Sequence, residues 1–446
     1  VSYGVKPTEI RHPQAALFAE EYPCQRIQSL GYTADLNSEE VNQLTDPNVV
    51  EVVDSDPTVS LTIDTNEFGS INIYNQLSGF YGFPESITDV RDRYGFTEAT
   101  IDNTNHRDGT ISHTDFGEVA TDFQVVIKDT AADTNQSRVL WFNNCFVDSV
   151  SGTYQVDGFA SESISMTGAW QRWFLNGFAG TRIQKATYVS GSSLETTHTN
   201  APIMLMEDGV ELPSSYWTAG GAGFVSAGGY AFKAASRYRL ADVGATLAFP
   251  SLGDAVTPIG GVKEGEIEIL MWDSGRIGAE PGYGVDTIPG TVMLRLQSVD
   301  YEVSFDREDL KQLSTGVYYK GLNTTTVTAS ISAIESNLEL WALGAGLATD
   351  FTTSALTSMS LSDFQNMSDI QIRVDVFSTK NLTEHSESTI LKSIRLHDGK
   401  VTSTGNSSDV PGRGTATFDL QFKRANFVGY GQTGRGDTAQ VVHDSK

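Results

Sequence analysis

RLQSVDYEVSFDREDLKQL, residues 295–313, alternates side-chain character in strand fashion before a charged turn, and RIQSLGYTADLNSEEVNQL, residues 26–44, is nearly the same text. Aligned without a gap, the two stretches share Arg26/Arg295, Gln28/Gln297, Ser29/Ser298, Tyr32/Tyr301, Glu39/Glu308, Gln43/Gln312 and Leu44/Leu313. Average composition gives about one chance identity over such a span. The likeness continues downstream. Thr58–Asp64 (TVSLTID) matches Thr326–Ser332 (TVTASIS), Glu67 and Glu335 both follow, and Ile73-Tyr74 answers Leu340-Trp341. Val125-Val126-Ile127 aligns with Ile372-Arg373-Val374, and Ser163–Thr167 with Thr417–Gln421. The order is colinear, as expected of one duplicated β-rich unit covering about residues 10–180 and 260–430.

Within each copy the hydrophobic period is two, which points to half-buried strands of an antiparallel sheet. Gln28, Leu30, Tyr32, Ala34 and Leu36 share one side, against Ser29, Gly31, Thr33 and Asp35. The second copy sets Gln297, Val299, Tyr301, Val303 and Phe305 against Ser298, Asp300, Glu302 and Ser304. Val59, Leu61 and Ile63 alternate with Ser60, Thr62 and Asp64 as Val327, Ala329 and Ile331 do with Thr328, Ser330 and Ser332. Both copies are expected to build a sheet with one apolar face and one face of Ser, Thr and Asp. Residues 333–347 and 15–22 are the best candidates for short flanking helices.

The chain has 446 residues, 39% hydrophobic and 19% charged, which suits two or three globular domains. Its 42 glycines point to turns. A formal charge of −26 with only 30 basic residues argues against a sequence-independent grip on nucleic-acid phosphates. Cys24 and Cys145 form neither a disulfide framework nor a metal-ligand spacing. The opening VSYGVKPTEIRHPQ lacks a signal-peptide apolar core, and no apolar stretch has the length of a membrane helix, so the chain reads as soluble.

No catalytic or metal site is expected. The G-x-S-x-G, H-E-x-x-H and C-x-x-C patterns are missing from the sequence. DNTNHRDGTISHTD, residues 102–115, mimics the middle of an EF-hand loop around Asp108-Gly109 but has Thr104 first and Asp115 last, so a polar hairpin loop is the better reading. His106 and His113 are poorly spaced for a metal. The run AGGAGFVSAGG, residues 219–229, lacks the Lys-Ser/Thr of a phosphate loop and reads as a surface loop. Asn135, Asn323, Asn366, Asn381 and Asn406 carry N-x-S/T triplets at about the density chance gives in so Ser/Thr-rich a chain.

The strand-turn text VDYEVSFDREDLKQLSTGVYYKG followed by a TVTASISA-type strand resembles the major tail tube proteins of tailed viruses. The resemblance implies an all-β, mainly antiparallel fold. Two homologous tube-like β-sandwich or half-barrel domains, residues 1–184 and 261–430, would carry a few short helices. Residues 185–260 would form an inserted Gly-rich β module or linker, and residues 431–446 an extended arm. It further implies a structural virion protein, no enzyme and without cofactors, whose three copies make a pseudo-hexameric ring, or six a hexameric one. Stacked rings would form a conduit for viral DNA in the virion tail, assembled in the host cytoplasm, with other tail proteins at the tube ends and no membrane insertion. Thr33, Asp35, Ser60, Thr62, Asp64, Asp300, Glu302, Thr328, Ser330 and Ser332 would line the lumen, since the apolar faces must pack inside each domain. Another virion part such as a baseplate or connector, an acidic surface-layer or adhesin protein, a porin and a paired-carboxylate hydrolase are the alternatives.

Overall fold

The computed structural model describes residues 14–19, 22–24, 27–36, 38–42, 49–54, 57–66, 72–77, 110–112, 116, 120–128, 137–155, 160–168, 170–174, 182–195, 202–207, 210–220, 223–234, 236, 238–242, 267–273, 296–311, 318–334, 362, 370–377, 389–408 and 414–429. Every strand pairing among them is antiparallel. They form a 16-stranded sheet, a 7-stranded sheet and a 2-stranded ribbon.

The duplication is visible strand for strand. In the first copy the spatial order is Gln14–Ala19, Thr121–Lys128, Ser137–Gln155, Ser161–Gly168, Thr58–Thr65, Ile27–Asp35, with Trp170–Phe174 also on Ser137–Gln155. In the second it is Ile267–Asp273, Ile370–Phe377, Ile390–Ser408, Gly414–Phe422, Tyr318–Ile334, Leu296–Lys311, with Arg424–Gly429 on Ile390–Ser408. Registers agree as well as order. Ser29 faces Asp64 as Ser298 faces Ser332, and Ser163 faces Ser151 as Thr417 faces Gly405. The expected alignment is two residues out at one strand. Phe123 pairs Phe142 and Ile372 pairs Leu396, so Val125 corresponds to Val374 rather than to Ile372. A slip of two keeps every side chain on its own face, so alternation alone does not expose it.

Each copy is a sandwich, because the long strands Ser137–Gln155 and Ile390–Ser408 serve two sheets in turn. Their first halves pair the outer strands and their second halves pair Ser161–Gly168 and Gly414–Phe422. Apolar side chains from the facing sheets fill the space between, with Val59, Leu61, Ile63 and Ile164 meeting Leu17, Val125, Leu140 and Phe142 in a core continuous with that of the second copy. Burial on this scale is the main stabilising term.

The helix expected over residues 15–22 is a correction. All of Gln14–Ala19 pairs with Thr121–Lys128, and Leu17 and Ala19 enter the main core while Phe18 packs on the opposite face. That is a strand buried on both faces, whose continuous apolar text hides its period. Among the described residues the only α-helix longer than a turn is Asn72–Leu77, with a 3-10 turn at Ser214–Tyr216. Of the stretch 333–347, the first two residues end the strand Tyr318–Ile334 and the rest lie outside the described residues. His106, His113, Leu340, Trp341 and residues 431–446 lie outside them too.

The separate 7-stranded sheet draws on residues 182–242, and part of the glycine run forms its strands Trp217–Gly220 and Gly223–Ser226. It covers the outer face of the first copy. Ile183 and Met206 pack on Phe18, Val126, Val139, Trp141 and Phe174. Gln124 donates to the Ile183 carbonyl and accepts from its N–H, both at 3.2 Å, and Arg239 Nε donates to Asp122 Oδ2 at 2.8 Å. In the second copy the same register positions hold Leu270, Asp375, Ser393, Arg395 and Val428, with Arg373 where Gln124 stands. Buried Arg373 and Asp375 pair there at 2.6 Å. The copies have thus diverged at the face that only one of them uses to seat the module.

Candidate assembly interface

Tyr301 pairs with Gly152 in the ladder that joins the copies, where Leu296–Lys311 of the second lies along Ser137–Gln155 of the first from Ser298↔Gln155 to Ser304↔Ser149. The two sandwiches therefore share one continuous sheet. Its spatial order from the second copy to the first is Ile390–Ser408, Gly414–Phe422, Tyr318–Ile334, Leu296–Lys311, Ser137–Gln155, Ser161–Gly168, Thr58–Thr65, Ile27–Asp35.

The joint is sealed beneath by aromatic and ionic contacts. A Cβ at Gly152 would lie 2.4 Å from the Tyr301 ring, so glycine is what admits that ring. Tyr301 stacks on Tyr154 with centroids 6.4 Å apart. Beside them, fully buried, Lys392 Nζ of the second copy donates to Glu162 of the first at 2.6 Å to Oε1 and 2.5 Å to Oε2. The Tyr154 and Tyr301 hydroxyls also donate to Glu162 Oε1, at 3.1 and 3.4 Å, and the ammonium sits 4.2 Å from the centre of the Tyr74 ring. Burial, and then the Glu162 charge, pushes the Tyr74, Tyr154 and Tyr301 phenols well above their ordinary range, which keeps all three neutral and Tyr154 and Tyr301 as donors. Further along, Arg307 of the second copy donates to the carbonyls of Val147 at 2.8 Å and Phe116 at 3.0 Å, and lies over the Phe146 ring.

The ten residues expected to line a channel all fall on one face of this shared sheet. Cross-strand neighbours share a face, and Thr33 opposes Ser60, Asp300 opposes Ser330 and Glu302 opposes Thr328. One row runs Ser29, Asp64, Ser163, Ser151, Glu302, Thr328, Gln421 across both copies. Thr33, Asp35, Ser60, Glu302 and Thr328 are exposed, and Thr62, Asp64, Asp300, Ser330 and Ser332 are half-buried. Ser29 and Ser163 donate to the Asp64 carboxylate, the second at 2.8 Å. This face is a hydroxyl and carboxylate surface, whereas Val59, Leu61, Ile63, Val327, Ala329 and Ile331 point into the core.

Among the described residues the sheet ends at Ile27–Asp35, which pairs only Thr58–Thr65, and at the second half of Ile390–Ser408, which pairs only Gly414–Phe422. These ends are the counterparts of the two strands that meet in the joint. Val299, Tyr301, Val303 and Phe305 are 0%, 2%, 0% and 5% exposed there, whereas Tyr32 and Leu36 at the matching open edge are 44% and 73% exposed, and Ala34 is exposed too. Glu162, Lys392, Gly152 and Arg307 escaped sequence reasoning. The ion-pair partners stand 230 residues apart and no local pattern links them.

Among the described residues no group of three or more His, Cys, Asp or Glu is arranged to hold a metal, and no helix is long and apolar enough to cross a membrane. Cys24 and Cys145 are free thiols, and burial pushes Cys24 up to about 12.

No family model and no curated protein matches the chain. Solved structures do. The baseplate of the anti-feeding prophage matches with 7% identity over 38% of this chain and 96% of that chain, at a TM-score of 0.26. The sheath-tube complex of an extracellular contractile injection system, PVC, matches with 12% identity over 41% and 99%, at 0.24. The Hcp1 protein of E. coli EAEC 042 matches with 9% identity over 36% and 89%, at 0.20.

Proposed function

We propose that this chain is a structural subunit that closes head to tail into rings, and that stacked rings make the tail tube through which viral DNA passes. The observation that carries the proposal is the complementarity of the two open sheet ends. The joint inside the chain is a worked example of a second-copy strand added to a first-copy strand, and among the described residues one strand of each kind is left unused. Carrying its register across by the copy-to-copy correspondence sets Ile27–Asp35 of one chain antiparallel to the open strand of another, with Thr33 opposite Gly405 and Asp35 opposite Ser403. Such addition covers Tyr32, Ala34 and Leu36 and pairs the backbone of both edges, the usual remedy for an exposed edge strand.

A heterologous joint of this kind yields a ring where the rotation closes and an open filament where it does not. Three chains would close six quasi-equivalent units. In that ring the hydroxyl and carboxylate face lines the lumen, and an acidic, hydroxyl-rich lining lets a phosphate polymer slide without the counterion release that makes basic grooves hold it. Residues 1–184 and 261–430 are then the tube units, apart from the strand Arg182–Ser190, which goes with the external module 185–260, and 431–446 is an arm. The assembly would form in the host cytoplasm, belong to the virion tail and meet other tail proteins at its ends.

A cysteine pair tests the joint. Thr33→Cys with Gly405→Cys, oxidised under assembly conditions, is expected to give covalent trimers or closed rings in electron micrographs. Only monomeric disulfides, or no cross-link alongside normal assembly, would refute this register.

A further inference from the structure

Phe427 and Trp173 hold one ladder position in the two copies, Phe427 opposite Ile394 and Trp173 opposite Leu140, yet the first is 0% and the second 40% exposed. The difference lies in what the first copy lends. Its residues between Thr58–Thr65 and Thr121–Lys128 reach across the joint and finish the other sandwich. Tyr74 of the helix Asn72–Leu77 stacks on Phe427 with ring centroids 4.9 Å apart, and Phe116 meets the same ring edge-on at 5.6 Å. Thr110–Ser112 then adds a strand to Arg424–Gly429, from Val428↔Thr110 to Asn426↔Ser112. Trp170–Phe174, the first-copy counterpart of Arg424–Gly429, pairs only Ser137–Gln155 among the described residues. On the same side as Trp173, the Gln171 amide oxygen is buried and accepts no hydrogen bond from the described residues. An uncovered indole, an orphaned acceptor and a free strand edge mark a surface built to be paired.

The joint within the chain says which copy supplies the cover. There the copy that receives a strand lends the helix and the short strand, and the copy that inserts is finished by them. In the ring the receiver is the second copy of one chain and the inserter is the first copy of the next. The second-copy counterpart of the lent segment is residues 335–369, between Tyr318–Ile334 and Ile370–Phe377. Its sequence carries Leu340-Trp341 where the first copy has Ile73-Tyr74. The cation is matched as well. Lys392 Nζ sits 4.2 Å from the centre of the Tyr74 ring, and the register puts Arg138 at the Lys392 position, on the copy that would receive Trp341. Tryptophan is the best ring for such a contact.

We infer that the edge Trp170–Phe174 is a docking site for the second copy of a neighbouring chain, whose residues 335–369 cross the joint, seat Trp341 against Trp173 and pair the strand's open side. This second seam rests on the ring reading and lies on the outer sheet, apart from the strand addition at Ile27–Asp35. The exchange is reciprocal, since the neighbour that inserts a strand is the one that receives a segment. Strand addition of this kind draws its strength from main-chain pairing and its register from the side chains it covers.

The test labels tryptophans with hydroxyl radicals and reads each site by mass spectrometry, on full-length chains carrying Thr33→Cys and Gly405→Cys. The disulfide between chains reports the first seam, so the second is read on its own. In edge-blocked monomers carrying Ala34→Lys and Leu36→Asp, Trp173 is expected to be labelled, with fully buried Trp141 as the protected reference. In disulfide-linked assemblies Trp173 labelling is expected to fall to the Trp141 level. Trp341→Ala is expected to restore labelling while the disulfide still forms, and Trp341→Phe to keep the protection. The inference is overturned if Trp173 is labelled equally in monomers and linked assemblies, or if monomers already protect it. It is equally overturned if Trp341→Ala assemblies protect Trp173 as fully as the parent, because the cover then comes from elsewhere. Chains that form no disulfide at all overturn the ring reading and this seam with it, a result seen before any labelling.

Discussion

Asn144 and Asp398 are the two described non-glycine residues with positive φ, at 49° and 58°, and they occupy the same ladder position 254 residues apart. Each sits where its long strand passes from the outer sheet to the shared one. The second Asp or Asn function differs. The Asn144 N–H donates to Asp122 Oδ1 at 2.9 Å, whereas Asp398 Oδ1 accepts from Gln371 Nε2 at 3.2 Å. Asn and Asp tolerate the left-handed region better than other side chains that carry a Cβ. Replacing Asn144 with Val is therefore expected to cost about 1–2 kcal/mol, and Gly far less, by denaturant unfolding.

Gly152 is the point of closest approach between the copies. Gly152→Ala is expected to destabilise the chain by about 1–3 kcal/mol, because the Tyr301 ring is hemmed in by Tyr154 and Phe427 and has little room to retreat. Pairing it with Tyr301→Phe should return little, since the clash is with ring carbons as well as the hydroxyl. Full recovery in that double variant would show the hydroxyl alone to be at fault.

Ala34→Lys with Leu36→Asp alters the exposed side of an edge strand without entering the core. Monomer stability should stay within roughly 0.5 kcal/mol of the parent. Assembly should be lost in sedimentation and in micrographs, through charge and desolvation at the covered edge. Unimpaired polymers would show that this edge is not the joint.

Asp300→Lys with Glu302→Lys reverses charge on the hydroxyl and carboxylate face. Tubes of normal appearance are expected to form and to retard DNA during ejection, more so at low salt. Unchanged ejection would move these residues to the outside.

Asp375 gives a pH signature. Burial outweighs the attraction of Arg373 and lifts its carboxyl from 3.8 to about 6. Between those values the folded chain holds a proton that the unfolded chain releases, so stability from this group is full below the window and lost as pH rises through it. The loss is on the order of 3 kcal/mol at most. Asp375→Asn should be less stable overall, leaving Arg373 without its carboxylate, yet show a flatter slope between pH 4 and 6. An unchanged slope would refute the assignment.

How far the sequence carries can be judged strand by strand. The text shared by 26–44 and 295–313 places the two edge strands in equivalent positions, and the alternation in TVSLTID and TVTASIS assigns their faces, because a half-buried strand must segregate its side chains. IMLMEDGVELPSSYW reads as strand, turn, strand, and the two strands are Pro202–Glu207 and Val210–Glu211. Legibility stops where burial is two-sided. Gln14–Ala19 and Ile370–Phe377 lie between layers, so their text lost its period, which produced the misplaced helix and the two-residue slip. Glu162 and Lys392 were silent for another reason. Each is a single charged residue in an ordinary strand, and only the fold makes them neighbours.

Fusing two copies into one polypeptide also changes the kinetics of building a ring. The joint through Tyr301 and Gly152 forms within a chain, at an effective concentration fixed by the connection between the copies rather than by how much protein the cell has made. Half the seams of any closed ring of whole chains are then immune to dilution, and nucleation requires half as many molecules to meet as it would for separate copies. Only the remaining seams respond to supply. A chain of this design should start tubes at low abundance and leave tube number sensitive to the open edge alone.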